Sequence, residues 1–189
     1  SFYSWLTNSA AVDNKLAQEA ISKDDVQGIG IGVPGPVDSQ GVVHRCVNLG
    51  WGVVNVAEEL GNLTGLKIKV GNDANVAALG EMWQGGAKGS KDVIMVTLGT
   101  GVGGGIIVDG KVVAGFNGAG GEIGHITVNN DEIEACNCGQ YGCLEQYTSA
   151  TGIVRLAKRK LAKSTEETSI REIPNLTAKD VFDAAKAGD

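Results

Sequence analysis

The chain has 189 residues, which is enough for one domain or two small ones with a substantial hydrophobic core. Its formal net charge is −6, and charges of both signs are interspersed without a basic run, so nucleic acid is disfavoured as a partner. No apolar stretch reaches the length of a membrane span, and no signal peptide is visible. Together with a few clustered cysteines, these properties predict a cytoplasmic protein without a membrane partner.

Apolar residues in the first half of the sequence alternate between helical and strand spacing. Residues 10–22 and 53–63 have the period of helices, and residues 26–33 and 66–70 have the composition of strands. A third helix is predicted over residues 74–84. Strands that alternate with helices in this way predict an α/β fold with a mixed sheet.

The second half continues this pattern and adds a hairpin. Residues 92–98 are predicted to form a buried strand, because almost every position is apolar. The dipeptide Asp109-Gly110 is a strong turn signal, and it lies between two further strand segments, residues 105–108 and 111–113. The remaining helices are predicted over residues 144–163 and 177–187, with Thr177 as a good N-cap.

Two polar residues, Asn72 and Asp73, lie between the strand predicted at 66–70 and the helix predicted from residue 74. A carboxylate at the carboxyl end of a strand is where α/β folds gather catalytic groups. Taken alone, Asp73 is more simply interpreted as the N-cap of the following helix. Asn72 favours a binding site, because its amide offers both a donor and an acceptor to a hydroxylated ligand.

A glycine-rich segment joins the strand at 92–98 to the hairpin. Its glycines leave backbone N–H groups open to an anion, and Thr100 adds a hydroxyl. The segment is not a P-loop, since no Gly-Lys-Ser/Thr follows, and it is not a dinucleotide fingerprint, since a strand and not a helix comes next. It is therefore either a phosphate-binding turn or only a tight turn.

The middle of the chain holds a candidate metal site, whose members are His125, Cys136, Cys138 and Cys143. One imidazole and three thiolates match the ligand count of a closed, tetrahedral structural zinc site. The C-x-C-x₄-C spacing is not the common zinc spacing, so buried free thiols, or a disulfide that leaves one cysteine over, remain alternatives. Two acidic neighbours, Glu122 and Glu145, make this segment a predicted wall of a polar binding site.

Residues 96–125, VTLGTGVGGGIIVDGKVVAGFNGAGGEIGH, closely resemble the signature of the ROK family of sugar kinases, which also includes repressors. Further segments that fall in the family's order are GIGVPGPVD (30–38), NLGW (48–51), NDAN (72–75) and CNCGQYGCLEQYTSATG (136–152). The similarity covers about residues 26–163 and is greatest to the glucokinases of low-GC Gram-positive bacteria. It implies an actin-like ATPase (ribonuclease-H-like) fold of two α/β domains. Residues 1–77 would be part of the small domain, and residues 78–189 most of the large domain with the zinc site.

The resemblance also implies a role for each candidate residue. Asp73 corresponds to the catalytic base that takes the proton from the sugar hydroxyl. The residues implied to bind sugar hydroxyls are Asn72, Glu122, His125 and Glu145. The residues implied to bind nucleotide phosphates are Gly99, Thr100, Gly101 and Gly103. The zinc ligands implied are His125, Cys136, Cys138 and Cys143. Cys138 favours the glucokinase branch over the related fructokinases.

The cofactors implied by the resemblance are structural Zn²⁺, ATP and Mg²⁺. The implied substrate is a hexose, with glucose as the first candidate, and the implied assembly of the full-length protein is a homodimer. The family's N-terminal phosphate loop, Asp-x-Gly-Gly-Thr, and its C-terminal adenosine wall do not occur in this sequence. We therefore expect a fragment, truncated at both ends, that does not phosphorylate sugar competently alone.

The alternatives to a glucose kinase come from within the same family. One is the sugar-sensing domain of a repressor, in which a helix-turn-helix precedes the shared signature. Another is a kinase for a different hexose, such as N-acetylmannosamine, or one that uses polyphosphate. A third is a zinc-stabilised sugar-binding module without activity.

Overall fold

The computed structural model of the chain describes residues 10–44, 46 and 49–189. Asn48, from the family segment at 48–51, and residues 1–9, from the predicted small domain, lie outside the described residues. The described residues form two compact units. The first draws on the described residues up to 95 and on residues 105–121, and the second on residues 96–104 and 122–189. The division predicted at residue 78 concerns the domains of the family fold, and it stays a prediction.

The regular elements within the described ranges alternate as expected for an α/β chain. The helices are α1 (Ala10–Gln18), α2 (Val56–Thr64), α3 (Asp73–Gln84), α4 (Glu145–Thr148), α5 (Ala150–Lys163) and α6 (Ala178–Lys186). The strands are β1 (Ile29–Val33), β2 (Val42–Val43), β3 (Val54–Asn55), β4 (Ile68–Asn72), β5 (Val93–Leu98), β6 (Val102–Val108) and β7 (Lys111–Val112). Short 3₁₀ turns lie at Lys23–Asp25 and Ile123–His125. None of the helices in this part of the chain is long and apolar enough to cross a membrane.

The first unit is organised around the parallel pair of β1 and β4. Their register runs from Ile29 opposite Ile68 to Val33 opposite Asn72, so both strands end at the same level. Helix α2 packs against β4, and α3 packs against both strands. The buried core beside them consists of Val33, Val37, Val43, Cys46 and Val56. This packing fixes the carboxyl end of β4, where Asn72 and Asp73 lie.

Strands β5, β6 and β7 form a three-stranded sheet in that order. The turn between β6 and β7 has positive φ at both Asp109 (50°) and Gly110 (73°), which matches the twist of a two-residue hairpin and confirms the predicted turn. The prediction that β5 is wholly buried is wrong for the described residues. Ile94, Val96 and Leu98 are 73%, 50% and 67% exposed, because successive side chains of a strand point to opposite faces and only one face is covered.

The second unit contains an irregular arm, residues 126–143, followed by three helices. The helix predicted over 144–163 is divided at Ser149, whose backbone is extended (φ −74°, ψ 163°) and whose hydroxyl accepts the N–H of Gly152. Ser149 thus ends α4 and caps α5. Thr177 caps α6 as predicted, in a reciprocal pair with Asp180, and α6 packs against α5.

Candidate functional site

The carboxyl end of β4 presents Asn72 and Asp73 in different roles. The Asn72 side-chain oxygen accepts the N–H of Asn75 at 3.1 Å, which makes Asn72 the N-cap of α3, and its amide nitrogen donates to the carbonyl of Gly35 at 3.2 Å. Asp73 is the first residue of α3, is exposed, and accepts the N–H of Ala74 at 2.8 Å. The interpretation of Asp73 as the helix cap is therefore wrong, because Asn72 fills that position. The Asp73 carboxylate stays at the positive end of α3, where a negative charge is favoured.

The predicted metal donors come together in the second unit. The donor atoms of His125, Cys136, Cys138 and Cys143 all lie within 4.8 Å of one another. The Cys138 and Cys143 sulfurs are 3.6 Å apart, and the Cys136 sulfur is 3.8 Å from Nδ1 of His125. Sulfur and nitrogen ligands at ordinary bond lengths on a tetrahedral ion stand about 3.5–3.8 Å from one another. The histidine and the three cysteines therefore fit one metal ion. Each of the chain's four cysteines, including Cys46 outside this cluster, is a free thiol and forms no disulfide.

Backbone hydrogen bonds of the arm place these donors. The Cys136 N–H donates to the carbonyl of Gln140 at 2.7 Å, and the Gly139 N–H donates to the carbonyl of Cys136 at 2.8 Å, closing a tight loop. Gly142 follows with a φ of 70°, and a Cβ at this position would stand 1.7 Å from the carbonyl oxygen of Asn129. Only glycine fits there, so the spacing between the second and third cysteines is determined by a glycine turn.

The thiols of the cluster are in a poor environment for negative charge. Burial, followed by the neighbouring thiols of Cys138 and Cys136, raises the pKa of Cys143 to about 12. Burial likewise raises the pKa of Cys136. Metal ligation requires thiolates, so binding of a cation would release protons and offset this penalty.

Two carboxylates border the cluster, as the sequence predicted. Glu122 has a side-chain oxygen 3.9 Å from Nε2 of His125, the ring nitrogen opposite the one that faces the thiols. Glu145 has one oxygen 3.9 Å from the Cys136 sulfur, and its other oxygen accepts the N–H of Val102 at 2.9 Å. The second unit therefore brings Glu122, His125 and Glu145 together around the metal donors. Asn72 and Asp73 belong to the first unit.

The glycine-rich turn, residues 99–101, joins β5 to β6 in the second unit. The Gly99 N–H donates to the carbonyl of Gly101 at 3.0 Å, which closes the turn. A Cβ on Gly101 would stand 2.3 Å from the Glu145 carboxylate, so a larger residue here would displace that carboxylate from its present position. Gly103, also predicted to bind phosphate, lies within β6. Three of the four predicted phosphate-binding residues therefore form the turn itself.

An ion-pair network that the sequence analysis did not identify holds the arm on α5. The Glu132 side chain is only 1% exposed, and it accepts hydrogen bonds from Tyr147 at 2.6 Å, Arg155 at 3.1 Å and Arg159 at 2.6 Å. Both arginines also pair with Glu134, whose side chain is 52% exposed. The one signal in the sequence is the spacing of the two arginines, four apart on one face of a helix. Their partners are more than twenty residues away, so no local pattern reveals them.

Replacing Glu132 with glutamine should destabilise the second unit in a pH-dependent way. Hydrogen bonds from Arg159 and then Tyr147 hold the pKa of Glu132 well below its ordinary value of 4.5. A lowered pKa in the folded state means that the stabilisation is fully present above about pH 4.5 and is lost as the pH falls below it. We expect Glu132→Gln to lower the free energy of unfolding by about 2 kcal/mol near pH 7. The difference in unfolding free energy between this variant and the wild type should become smaller at acidic pH.

Urea unfolding of both proteins over a pH series measures this difference. Glu134→Gln is the matched control, since Glu134 pairs with the same arginines from a half-exposed position and should change stability much less. A Glu132→Gln protein that unfolds like wild type at every pH would show that the network contributes no stability.

Comparison with known proteins identifies the family to which the chain belongs. The pattern that defines the ROK family matches residues 5–189. The chain is 46% identical over 188 residues to a glucokinase of Halalkalibacterium halodurans, in an alignment that covers 97% of this chain and 57% of that protein. The chain thus spans little more than half the length of this relative.

Solved structures show the same relationship. A ROK family transcriptional regulator, described as a homologue of the E. coli MLC protein, superposes with a TM-score of 0.82 at 28% identity, over 96% of this chain and 46% of that chain. A ROK family glucokinase from Streptomyces griseus, in complex with glucose and AMPPNP, superposes with a TM-score of 0.76 at 36% identity, over 96% of this chain and 60% of that chain. The actin-like α/β fold expected from the sequence is confirmed, and the chain belongs to the ROK family.

Proposed function

We propose that the protein carrying this chain is a sugar kinase that transfers the γ-phosphoryl group of ATP to a hexose, with glucose as the first candidate. The observation that carries the proposal is the position of Asp73, an exposed carboxylate at the carboxyl end of a parallel strand whose neighbour, Asn72, already caps the helix. The 46% identity to a glucokinase favours glucose among the hexoses.

In this proposal Asp73 is the general base. Its carboxylate accepts the proton of the attacking sugar hydroxyl and orients that oxygen toward the γ-phosphorus. Phosphoryl transfer depends mainly on such positioning and on charge stabilisation, so one well-placed carboxylate is sufficient as a base. Asn72 keeps a second amide N–H beyond the one that bonds Gly35, and this N–H is available to hold a sugar oxygen beside the base.

The other sugar contacts are assigned to the border of the metal cluster. Glu122, His125 and Glu145 supply fixed acceptors and a ring nitrogen, and a pyranose has several hydroxyls to bind. A site built to hydrogen-bond hydroxyls rejects analogues that lack them, because its polar groups would be left unpaired. The residues assigned to the phosphates of ATP, which carries Mg²⁺, are Gly99, Thr100, Gly101 and Gly103.

We further propose that the metal is zinc and that its role is structural. Three thiols and one imidazole form the donor set that zinc prefers in closed sites. When bound, the ion supplies cross-linking between the 3₁₀ turn that carries His125 and the arm that carries the cysteines. This cross-link would keep the side chains of Glu122, His125 and Glu145 at fixed positions relative to one another, so that they can bind the hydroxyls of one sugar.

The assay is ATP-dependent formation of glucose 6-phosphate by the whole protein that carries this chain. We expect turnover with glucose and ATP, and lower activity with N-acetylmannosamine or with polyphosphate as donor. The similarity to a ROK transcriptional regulator supports a second candidate, a sugar-sensing regulator. Sugar-dependent DNA binding without any sugar phosphorylation would select that candidate and reject the kinase.

Replacing Glu145 with glutamine should mainly weaken sugar binding. Glutamine keeps the shape and an acceptor for the N–H of Val102, but it removes the negative charge beside the sugar. We expect the KM for glucose to rise about tenfold, since hydrogen bonds to charged groups contribute about 1.5–3 kcal/mol, while kcat changes less. Steady-state kinetics measure both values. Glu167→Gln, at an exposed position far along the chain, is the control and should match wild type.

Three further assignments go beyond the contacts described above. We propose that residues 1–77 and 78–189 belong to the small and large domains, that the whole protein is a homodimer, and that it acts in the cytoplasm. Limited proteolysis and analytical ultracentrifugation test the first two. Cleavage that spares the region around residue 78, or a monomer at micromolar concentration, would count against them.

A further inference from the structure

One short segment of the second unit, residues 145–151, makes hydrogen bonds to two residues of the glycine-rich turn and to the residue that follows the turn. The Ala150 N–H donates to the carbonyl of Gly99 at 2.9 Å. The Thr151 hydroxyl donates to the carbonyl of Thr100 at 2.8 Å. Beyond the turn, the N–H of Val102 donates to the Glu145 carboxylate at 2.9 Å. The conformation of the turn is therefore set by the start of α5.

These contacts determine where the N–H groups of the turn point. A carbonyl and the N–H of the following residue belong to one planar trans peptide unit, and they point in opposite directions. Holding the Gly99 carbonyl against α5 turns the Thr100 N–H away from that helix. Holding the Thr100 carbonyl against Thr151 does the same for the N–H of Gly101. Among the described residues, neither N–H has a hydrogen-bond partner.

We propose that Thr151 is a positioning residue for nucleotide binding: its hydroxyl fixes the Thr100 carbonyl and thereby aims the N–H of Gly101 at a phosphate oxygen of ATP. This inference rests on the proposed kinase function. Donors that already point at the charge they stabilise need no reorganisation when the ligand arrives, which is the basis of electrostatic preorganisation. The N–H of Gly99 bonds the Gly101 carbonyl and the N–H of Val102 bonds Glu145, so Thr100 and Gly101 supply the unbonded N–H groups of the turn.

Thr151 suits this role because it lies at the capped start of α5, where its hydroxyl also lies 3.0 Å from the hydroxyl of Ser149. It is the second residue of α5, whose start is fixed by the buried Ser149 and its bond to the Gly152 N–H at 3.0 Å. Thr151 itself is exposed, so the helix does not need its hydroxyl for packing. Its bond to residue 100 spans 51 positions of sequence, and it links α5 directly to the turn.

The test compares equilibrium binding of MgATP and of glucose, each measured by titration calorimetry, in the whole protein and three variants. Thr151→Val keeps the shape and removes the hydroxyl. Thr151→Ser keeps the hydroxyl, and Thr148→Val removes a threonine hydroxyl that donates to the Leu144 carbonyl at 3.0 Å, at the start of α4 and away from the turn. We expect the Kd for MgATP to rise roughly threefold to tenfold in Thr151→Val, the effect of losing one hydrogen bond, with the Kd for glucose unchanged. Thr151→Ser and Thr148→Val should bind both ligands like wild type.

Each other outcome overturns the inference. If Thr151→Val binds MgATP like wild type, the hydroxyl does not position the turn. If Thr151→Val loses MgATP and glucose binding equally, or if Thr151→Ser fails to restore MgATP binding, Thr151 has only a general structural role. If wild type itself does not bind MgATP, the proposed kinase function fails, and this inference fails with it. If the wild type binds MgATP but the Kd values of the variants differ from those expected, the kinase proposal stands and only the role of Thr151 is rejected.

Discussion

A kinase in which asparagine replaces Asp73 should lose at least about a hundredfold in turnover while its affinity for glucose changes little. Asparagine has nearly the same shape, and its oxygen can still accept the N–H of Ala74. The helix cap is unaffected, because Asn72 provides it. Only the capacity to take up a proton disappears. An effect on kcat without an effect on binding is the signature of an interaction that is made in the transition state.

Steady-state kinetics with glucose and ATP measure this change, and two further variants sharpen it. Asp73→Glu keeps a base but moves it, so it should retain more activity than Asp73→Asn. Asp25→Asn, at an exposed position in the same unit, should have normal turnover. Near-normal turnover of Asp73→Asn would show that Asp73 is not the base. A large rise in the KM for glucose with unchanged kcat would assign Asp73 to substrate binding instead.

Loss of the metal should destabilise the second unit strongly. Apparent binding free energies of structural zinc in small peptides are about 10–16 kcal/mol, and binding energy at such sites contributes to folding. The arm of this chain is also held by the Glu132 network and by backbone bonds, so we expect a smaller loss than in a zinc finger. Cys138→Ser removes one of the four donors, and it should lower the unfolding temperature and weaken glucose binding together.

The measurements are metal analysis by mass spectrometry and thermal unfolding with and without a strong chelator. We expect one zinc ion per chain, and chelation should lower the unfolding temperature of wild type toward that of Cys138→Ser. Cys46→Ser is the control, because Cys46 is a buried thiol of the first unit, outside the cluster, and this variant should still bind one zinc ion. Metal-free protein that unfolds at the temperature of untreated protein would contradict a structural zinc site.

Features that depend only on residues close to one another in the sequence could be predicted from the sequence. The hairpin turn at Asp109-Gly110 and the cap at Thr177 follow from local backbone chemistry, and the structure has both. The four candidate metal donors are indicated by residue type and clustering, although the spacing of the cysteines is not the common one for zinc. The approach of Glu145 to the glycine-rich turn is different, because it joins residues 43 positions apart, and no local pattern encodes such a contact.

Burial was the least predictable property. The largely apolar strand β5 indicates burial on both faces, but exposure depends on what covers a face, and that is not a property of the strand. Glu132 is the opposite case. An acidic residue in a polar arm is expected to be exposed to solvent, yet the Glu132 side chain is buried. Its two arginines and Tyr147 make burial favourable, because a buried charge needs partners that satisfy it. Such partners become visible only once the chain is folded.

The 3.6 Å separation of the Cys138 and Cys143 sulfurs also bears on how the protein must be handled. A disulfide bond is about 2.05 Å long, so the two sulfurs need to approach by only about 1.5 Å to be joined by an oxidant. Cys138 is exposed, and peroxide or dissolved oxygen can reach it. Oxidation would remove two of the four ligands at once. Zinc content should therefore be measured on fresh protein kept under reductant, because protein aged in air would give a falsely low value.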